Sequence, residues 1–357
     1  LSGGSGKDET TGANASRREK VAMLNAVTRW LTIAFILLPL AARSEPIRLK
    51  LAYYSSDQAR SYTMAIKPFS DAVNADEQGG LTIESYPNGA LGKDSAQQSR
   101  LVQDGTADIA YVVLGTAPSR FRDHAVMELP GLFRDMREAT WVNSRLVASG
   151  LMLGYEDFFV IASLATEPEG IHTRVPVASL EDLRGKRIRA NNPIEASALA
   201  RLGMSPVVLP IGKTPEAINR GTIDGAATAL GPLTDFGLGR AVTYHYFLRL
   251  GPSVRSLLMN RAKFDNLPKA GQAVIRKYGD GWLTQRFVDA DEAYNRGLVE
   301  QLKSDPLRHV IFPSQAEQVT AWESFKAVRS EWADASPHHR LLLKAVEAEI
   351  ARYRSER

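Results

Sequence analysis

The chain contains no cysteine, which excludes disulfides, thiolate metal sites and thiol nucleophiles together. Histidine is scarce, with 6 in 357 residues, and none stands in an H-E-x-x-H motif. There is no G-x-S-x-G elbow and no phosphate-binding loop. No pair of carboxylates stands in a setting that marks it as an acid/base pair. No long Lys/Arg run occurs, and nothing beyond residue 44 approaches the length of a membrane span. A nucleic-acid footprint needs clustered positive charge, so that class is set aside.

What remains is an ordinary globular composition, 44% hydrophobic and 24% charged, long enough for more than one domain. The formal charge of +4 is concentrated at the front. Residues 1–44 carry six basic and three acidic side chains, a net of +3, which leaves +1 for the rest. The segment before Met23 is polar and rich in Gly and Ser. From Met23 the order is a basic Arg29, an apolar run Trp30–Leu40, then small residues at Ala42 and Ser44. That is the layout of a secretory signal peptide cleaved after Ser44, and it predicts export.

Beyond the leader, "IRLKLAYY", "LTIESYP" and "ADIAYVVL" alternate as strands, with helix-compatible segments "SYTMAIKPFSDAVNAD" and "DSAQQSRLVQDG" between them. This β-α-β-α-β order predicts parallel strands. "FRDMREATWVNSRLVASGLMLGYEDF" reads as one long helical region and "FVIASLA" as a strand. A second set follows, with strands in "GKRIRA", "SPVVLP" and "TIDGAATA" separated by helical segments. The stretch from Ala262 to Lys303 is predicted mostly helical, followed by a short strand in "HVIFPS" and two amphipathic helices. Trp322, Phe325 and Trp332 are expected to pack along the first of these, and His338-His339 to form a solvated cap.

Two segments share one pattern. "LVQDGTADIAYV" (101–112) and "INRGTIDGAATAL" (218–230) both run from a helix through Gly-Thr-x-Asp-x-Ala into a strand. Gly105 and Gly221 suit the left-handed end of a helix, and Asp108 and Asp224 are expected to accept hydrogen bonds from turn amides. The repetition predicts two α/β lobes of related design whose strand ends face a shared crevice, where open α/β sheets bind ligands. Arg189 closes the strand "LRGKRIRA" and precedes Asn191-Asn192-Pro193. A guanidinium placed there can grip a carboxylate with two parallel hydrogen bonds.

Six motifs occur in order: "LTIESYPNGALG", "LVQDGTADIAYV", "ELPGLF", "SLEDLRGKRIRA", "LGMSPVVLP" and "INRGTIDGAA". From about Ile47 to Pro313 the chain thereby resembles the DctP-like solute receptors of tripartite ATP-independent periplasmic (TRAP) transporters. The resemblance implies an α/β, two-lobed periplasmic binding protein fold with a hinge, an interlobe cleft and long helices near the C-terminus. It implies a leader at 1–44, a first lobe of 46–165 plus part of 250–315, a second lobe of 166–247, and C-terminal helices over 315–357. It also implies a periplasmic receptor that is no enzyme, needs no cofactor, and hands a small organic acid to small and large membrane subunits. The expected state is a monomer.

The resemblance assigns the family's ligand-clamping arginine to Arg189 and its polar position after the Asp-Gly turn to Thr228. Many members have asparagine there within a Gln-Glu-Asn run. This chain has Ala226-Ala227-Thr228, which removes an amide and weakens a sialic-acid or C4-dicarboxylate assignment. Tyr54, Ser56 and Asn88 fall in the family's ligand-facing loops, and Thr116 and Arg120 follow the third strand. No cluster requires a metal ion. A ligand sensor or docking protein without transport stays open, as does an enzyme acting on a small organic acid.

Overall fold

The computed structural model describes Leu1, Gly3 and residues 45–357. The leader and its cleavage site therefore lie outside the described residues. Two mixed sheets carry the architecture. In the first, β1 (Ile47–Ala52) lies parallel to both β2 (Leu81–Tyr86) and β3 (Ile109–Val113). The connections are helical, through α1 (Lys67–Ala75) and α2 (Gln98–Gln103). All five residues of β3 are buried, as expected for a strand covered on both faces.

The chain leaves this sheet through α3 (Met136–Ser149) and returns as β4 (Phe158–Ala165). The long helix expected over this region is cut short by Gly150, whose φ of 72° ends α3, while Asp135 caps its start with a side-chain bond to the Glu138 N–H. β5 (Gly170–Thr173) then opens the second sheet. β6 (Arg187–Ala190), α4 (Pro193–Arg201), β7 (Ser205–Val208), α5 (Thr214–Asn219) and β8 (Gly225–Thr228) follow in the α/β order expected. After α6 (Gly231–Asp235) and β9 (Tyr244–Tyr246), the chain crosses back as β10 (Val254–Asn260) into the first sheet, antiparallel to β3 and β4. Helices α7 (Arg261–Asp265), α8 (Lys269–Tyr278) and α9 (Asp280–Ser304) lead to β11 (His309–Ile311), which pairs with β9 in the second sheet. The strand orders are β2-β1-β3-β10-β4 and β11-β9-β5-β8-β6-β7.

Two terminal helices, α10 (Gln315–Asp334) and α11 (Pro337–Ser355), tie to different parts. Glu317 of α10 accepts from the Tyr246 hydroxyl and the Leu180 N–H, whereas Glu349 of α11 meets Arg145 on α3. Phe325 and Trp332 are buried, but Trp322 is half-exposed under the Arg329 guanidinium, 4.4 Å from its ring. The expected solvated His338-His339 cap is also different. His338 bonds Asp123 at 2.8 Å, and His339 stacks on Trp332 at 4.2 Å, because the N-terminus of α11 packs inward.

The repeated pattern makes the same junction twice. Gly105 and Gly221 adopt φ of 78° and 69°. The Asp108 N–H donates to Lys50 O at 2.9 Å while its carboxylate accepts the Lys50 N–H at 2.8 Å. The Asp224 N–H donates to Arg187 O at 2.7 Å while its carboxylate accepts the Arg187 N–H at 2.9 Å. Each aspartate thus reaches the adjacent parallel strand rather than its own turn, where Asp104 serves the Thr106 N–H at 3.0 Å. The reciprocal bridge fixes strand register at the start of pairing. In the second copy it is reinforced by the Arg187 side chain, which grips Asp224 at 2.7 and 3.1 Å. That register carries Arg189, two residues along.

Bonds from the Arg187 side chain, above all, hold the Asp224 carboxyl below the usual aspartate range, against the opposing effect of burial. A depressed native pKa stabilises the fold above the unfolded value and loses that contribution as pH falls through the native one. Asp224→Ala should therefore cost roughly 1–3 kcal/mol at pH 7 in urea unfolding. The deficit should shrink as pH drops below about 4. Equal stability of variant and wild type at pH 7 would remove the bridge from this role.

Candidate functional site

Arg189 is 2% exposed, at the C-terminal end of β6. Its Nε donates to Leu209 O at 2.8 Å, one Nη to Ala227 O at 3.1 Å and the other to Asn191 Oδ1 at 2.8 Å. Three of the five N–H groups are spent on acceptors from the flanking chain, which fixes the plane of the guanidinium and leaves two free to meet a ligand. Burial lowers its pKa from the usual arginine range, with Glu195 and Glu169 opposing that shift. The far end of Asn191, its Nδ2, is buried without a partner among the described residues.

A second guanidinium comes from the other sheet. Arg255 sits on β10 in phase with Leu257 and Met259, which are buried. It has no hydrogen bond or ion pair among the described residues. Burial opposes its charge, but Tyr111, Tyr54, Glu169 and Asp291 together outweigh that and raise its pKa. Tyr54 lies within electrostatic reach of both arginines, and burial pushes its phenol upward. Its ring stacks on Tyr111 with centroids 6.5 Å apart, while Tyr53 packs on Tyr111 at 5.4 Å and bonds Ser61 at 2.6 Å. Tyrosines and a free guanidinium thus form the wall of the first sheet.

Three carboxyl groups approach the arginines. Glu169, at 4% exposure, lies just before β5, and Glu195 in the first turn of α4. Glu195 accepts the Asn191 N–H at 2.5 Å, and its own N–H is capped by Asn192. Glu169 Oε2 receives no protein donor among the described residues. Burial first, then the neighbouring Glu195, drives the Glu169 pKa well upward. Glu128 is pushed up to about 8 by burial and by Glu195.

At the other side of the cleft, Arg60 joins three parts of the chain. It follows β1, lies 3.6 Å from Asp235 at the end of α6, and donates to Asp291 and Asn295 on α9 at 2.8 and 3.0 Å. Its guanidinium also covers the Tyr294 ring at 4.2 Å. A Cβ on Gly231 would stand 2.1 Å from Arg60 Nη2, so only glycine admits this arginine without displacing it. Glu167 completes the node by accepting from Leu230 N and Asn295 Nδ2.

A cavity of about 40 Å³ lies on the Arg60 and Arg255 side of the cleft, lined by Tyr54, Arg60, Tyr111, Asp235, Arg255 and Asp291 among others, and Arg189 stands outside its lining. Ordinary ligand pockets measure ~300–1,000 Å³, so the cleft has to widen to admit an acid. A larger groove of about 770 Å³ runs along the edge strand β4. There, Arg276 lies over Phe159 and Phe264, and Asp280 accepts from Ser144. Its arginines, Arg261 and Arg276, lie over aromatic rings, whereas Arg255 in the cleft meets no ring, hydrogen bond or ion pair among the described residues. Chemistry, not volume, selects the cleft.

Of the residues singled out by sequence, Arg189 and Tyr54 come together here, and buried Thr228 adjoins the Ala227 carbonyl that holds Arg189. The others are engaged locally. Ser56 accepts from the Gln58 N–H, and Thr116 donates to Val113 O. Asn88 is exposed at φ 60° in a tight turn, with its N–H on Ser55 O. Arg120 pairs with Asp157 at 2.8 Å and lies over Phe158. Arg255, Asn191 and Glu169 escaped the sequence reading. For Arg255 a signal existed, since a charge in phase with buried residues of a strand is unusual.

Residues 51–335 match the family described as bacterial extracellular solute-binding protein, family 7 (DctP). The 2,3-diketo-L-gulonate-binding periplasmic protein of Escherichia coli K12 is 28% identical over 67% of this chain and 74% of its own. The C4-dicarboxylate-binding periplasmic protein of Rhodobacter capsulatus is 26% identical over 54% and 59%. Among solved structures, a marine metagenome TRAP solute-binding protein specific for aromatic acid ligands superposes with a TM-score of 0.78 at 25% identity, covering 86% of this chain and 99% of that one. A Rhodoferax ferrireducens TRAP protein with copurified benzoate gives 0.76 at 23%, covering 87% and 99%, a likeness of fold. A two-lobed frame with the six expected motifs in place, and a match over most of its length, put this chain in the DctP-like family of TRAP periplasmic solute-binding proteins.

Proposed function

We propose that the cleft between the two sheets is the ligand site of this receptor, and that Arg189 from one sheet and Arg255 from the other grip one organic acid. A periplasmic receptor of this family binds a small acid and delivers it to membrane subunits. The observation that carries the site assignment is a pair of guanidiniums from opposite sheets within electrostatic reach of each other, one locked and one without a partner among the described residues. A carboxylate touching both makes contacts that exist only when the lobes are together, and this difference shifts the population toward closure. Tyr54 supplies an aromatic wall, and Thr228 and Asn191 border Arg189. Ser56, Asn88, Thr116 and Arg120 are left out of this set because their bonds lie elsewhere.

The closing bodies in this reading are residues 46–165 with β10, and 166–247 with β11, bridged by α9 and the terminal helices. The chain acts as a monomer, without nucleic acid, and as a receptor rather than an enzyme. No helix among the described residues is long and apolar enough to cross a membrane, and in this reading the handover goes to separate membrane subunits.

A thermal-shift screen of small carboxylic acids followed by calorimetry identifies a ligand. For that acid, Arg189→Ala should weaken binding by roughly 2–5 kcal/mol, the range for removing one partner of a buried charge pair. That is about 30-fold to several-thousand-fold. Arg189→Lys should rescue only part, since it keeps charge without the fork. Arg255→Ala should also weaken binding while leaving the circular dichroism unchanged. Wild-type affinity in folded R189A and R255A proteins would sink the assignment.

Closure has its own readout. Solution scattering should show contraction on adding the acid. Arg60→Ala, which removes the link between Asp235 and Asp291, should expand the ligand-free protein. Identical profiles in all three states would exclude Arg60 as a contact that holds the lobes together.

A further inference from the structure

We infer that the Arg255 side of the cleft is a subsite for an aromatic ring, and that the receptor takes an aromatic carboxylate in preference to a polyhydroxylated or a saturated one. The inference rests on the acid-receptor reading above and names its ligand class. The cavity of about 40 Å³ on that side draws its lining from both bodies. Tyr53 and Tyr54 follow β1, Tyr111 lies on β3 and Phe287 on α9, while Phe236 comes from the second body, just after α6. Parting the lobes therefore widens this space between a tyrosine wall and Phe236.

The rings already stand as aromatic contacts require. Tyr54 and Tyr111 stack at 6.5 Å with their planes 25° apart, and Tyr53 tilts against both, at 5.7 and 5.4 Å. Aromatic rings gain most from one another offset or edge-on at such separations. A ligand ring entering between these tyrosines and Phe236 continues the cluster. Strand pairing sets the carboxylate beside it. Arg255 stands opposite Val113 and Leu257 opposite Tyr111, so Arg255 and Tyr111 are diagonal neighbours on one face of the first sheet. Diagonal neighbours lie about 7–8 Å apart, a separation bridged by a carboxylate joined to a ring directly or through one carbon.

The polar part of the lining decides against a polyhydroxylated acid. Ser61 bonds Tyr53 at 2.6 Å, and the Thr166 hydroxyl accepts the Ser253 N–H at 3.0 Å. Glu167 accepts from Leu230 N and Asn295, Asp291 from Arg60 and Asn295, and Asp235 from the Arg60 N–H at 3.3 Å. The Arg255 guanidinium and the Tyr111 hydroxyl, by contrast, have no hydrogen bond among the described residues. These two suit a carboxylate and one further polar atom on an otherwise apolar, flat molecule. A sugar acid would bury several hydroxyls against engaged groups or ring faces, and each unmatched one is penalised.

Calorimetry at pH 7 tests this with benzoate against cyclohexanecarboxylate and phenylacetate against cyclohexylacetate, pairs that keep size and carboxylate but differ in ring faces, and with glucuronate. Wild type should favour the aromatic member of each pair by roughly 2- to 12-fold, the worth of one aromatic contact. It should favour the tighter aromatic acid over glucuronate by roughly tenfold or more. Tyr54→Leu and Phe236→Leu, one on each wall, should bring the aromatic-to-saturated ratio toward one. A general loosening of the cleft weakens both members alike and leaves that ratio in place. Absence of the aromatic preference in wild type overturns the inference without any variant, so a misfolded variant does not rescue it. A ratio unchanged in both folded variants overturns it equally. Binding of glucuronate or the saturated acids without the aromatic ones sinks the inference and leaves the acid-receptor reading standing. If none of the acids bind, that reading falls with it.

Discussion

The buried guanidinium of Arg189 is the constraint around which the second sheet is arranged. An arginine keeps its charge inside a protein, so its burial has to be compensated by acceptors in fixed places. Here those acceptors are two main-chain carbonyls, Leu209 and Ala227, and the Asn191 side chain. The carbonyls are available only because β6 lies parallel to β7 on one side and β8 on the other, in a single register. That register is pinned by Asp224 on Arg187. The site is therefore a consequence of strand pairing, and a one-residue slip would turn Arg189 to the opposite face.

The same reasoning explains why the junction occurs twice. In each lobe a helix must end, reverse and start a strand already in register with its parallel neighbour. Glycine at positive φ makes the reversal, and the aspartate accepts the neighbour's amide where regular pairing has not yet begun. In the first lobe the bridge falls on Lys50, with Lys263 matching the carboxylate at 3.1 Å. In the second it falls on Arg187. The bridges are structural, yet they aim the ends of β1 and β6 at the cleft, where Tyr54 and Arg189 stand.

Much of this frame was legible from alternation and turn chemistry, which are local signals. Arg189 was legible because its strand, its position at the strand end and the following Asn-Asn-Pro turn are contiguous. Glu169 was not. It stands between strands in "TEPEGIHT", where an acidic residue before a glycine reads as a solvated loop. Its significance arises from Glu195, 26 residues away, and from two arginines on different sheets. Arg60 was hidden for the same reason, since its partners at 235, 291 and 295 are remote in sequence. The aspartate contacts at the repeats were misread in a related way. Local geometry offered turn amides, but the strand next door offered an unpaired one.

The two sets of charges in the cleft have opposite consequences for motion. Around Arg60 the charge is countered within the protein by Asp235 and Asp291, so this node favours the lobes together whether or not a ligand is present. Around Arg189 and Arg255 the partners are incomplete: two like charges approach each other across the cleft, and Arg255 has no acceptor. Closing without an anion brings these guanidiniums into a drier space and raises their repulsion. Closing around a carboxylate converts that repulsion into two attractions. The Arg60 node lowers the cost of closure in general, while the arginine pair makes the closed state depend on an acid. A receptor needs both, because a cleft that closed equally well without ligand would gain no affinity from closing, and one that resisted closure too strongly would lose it.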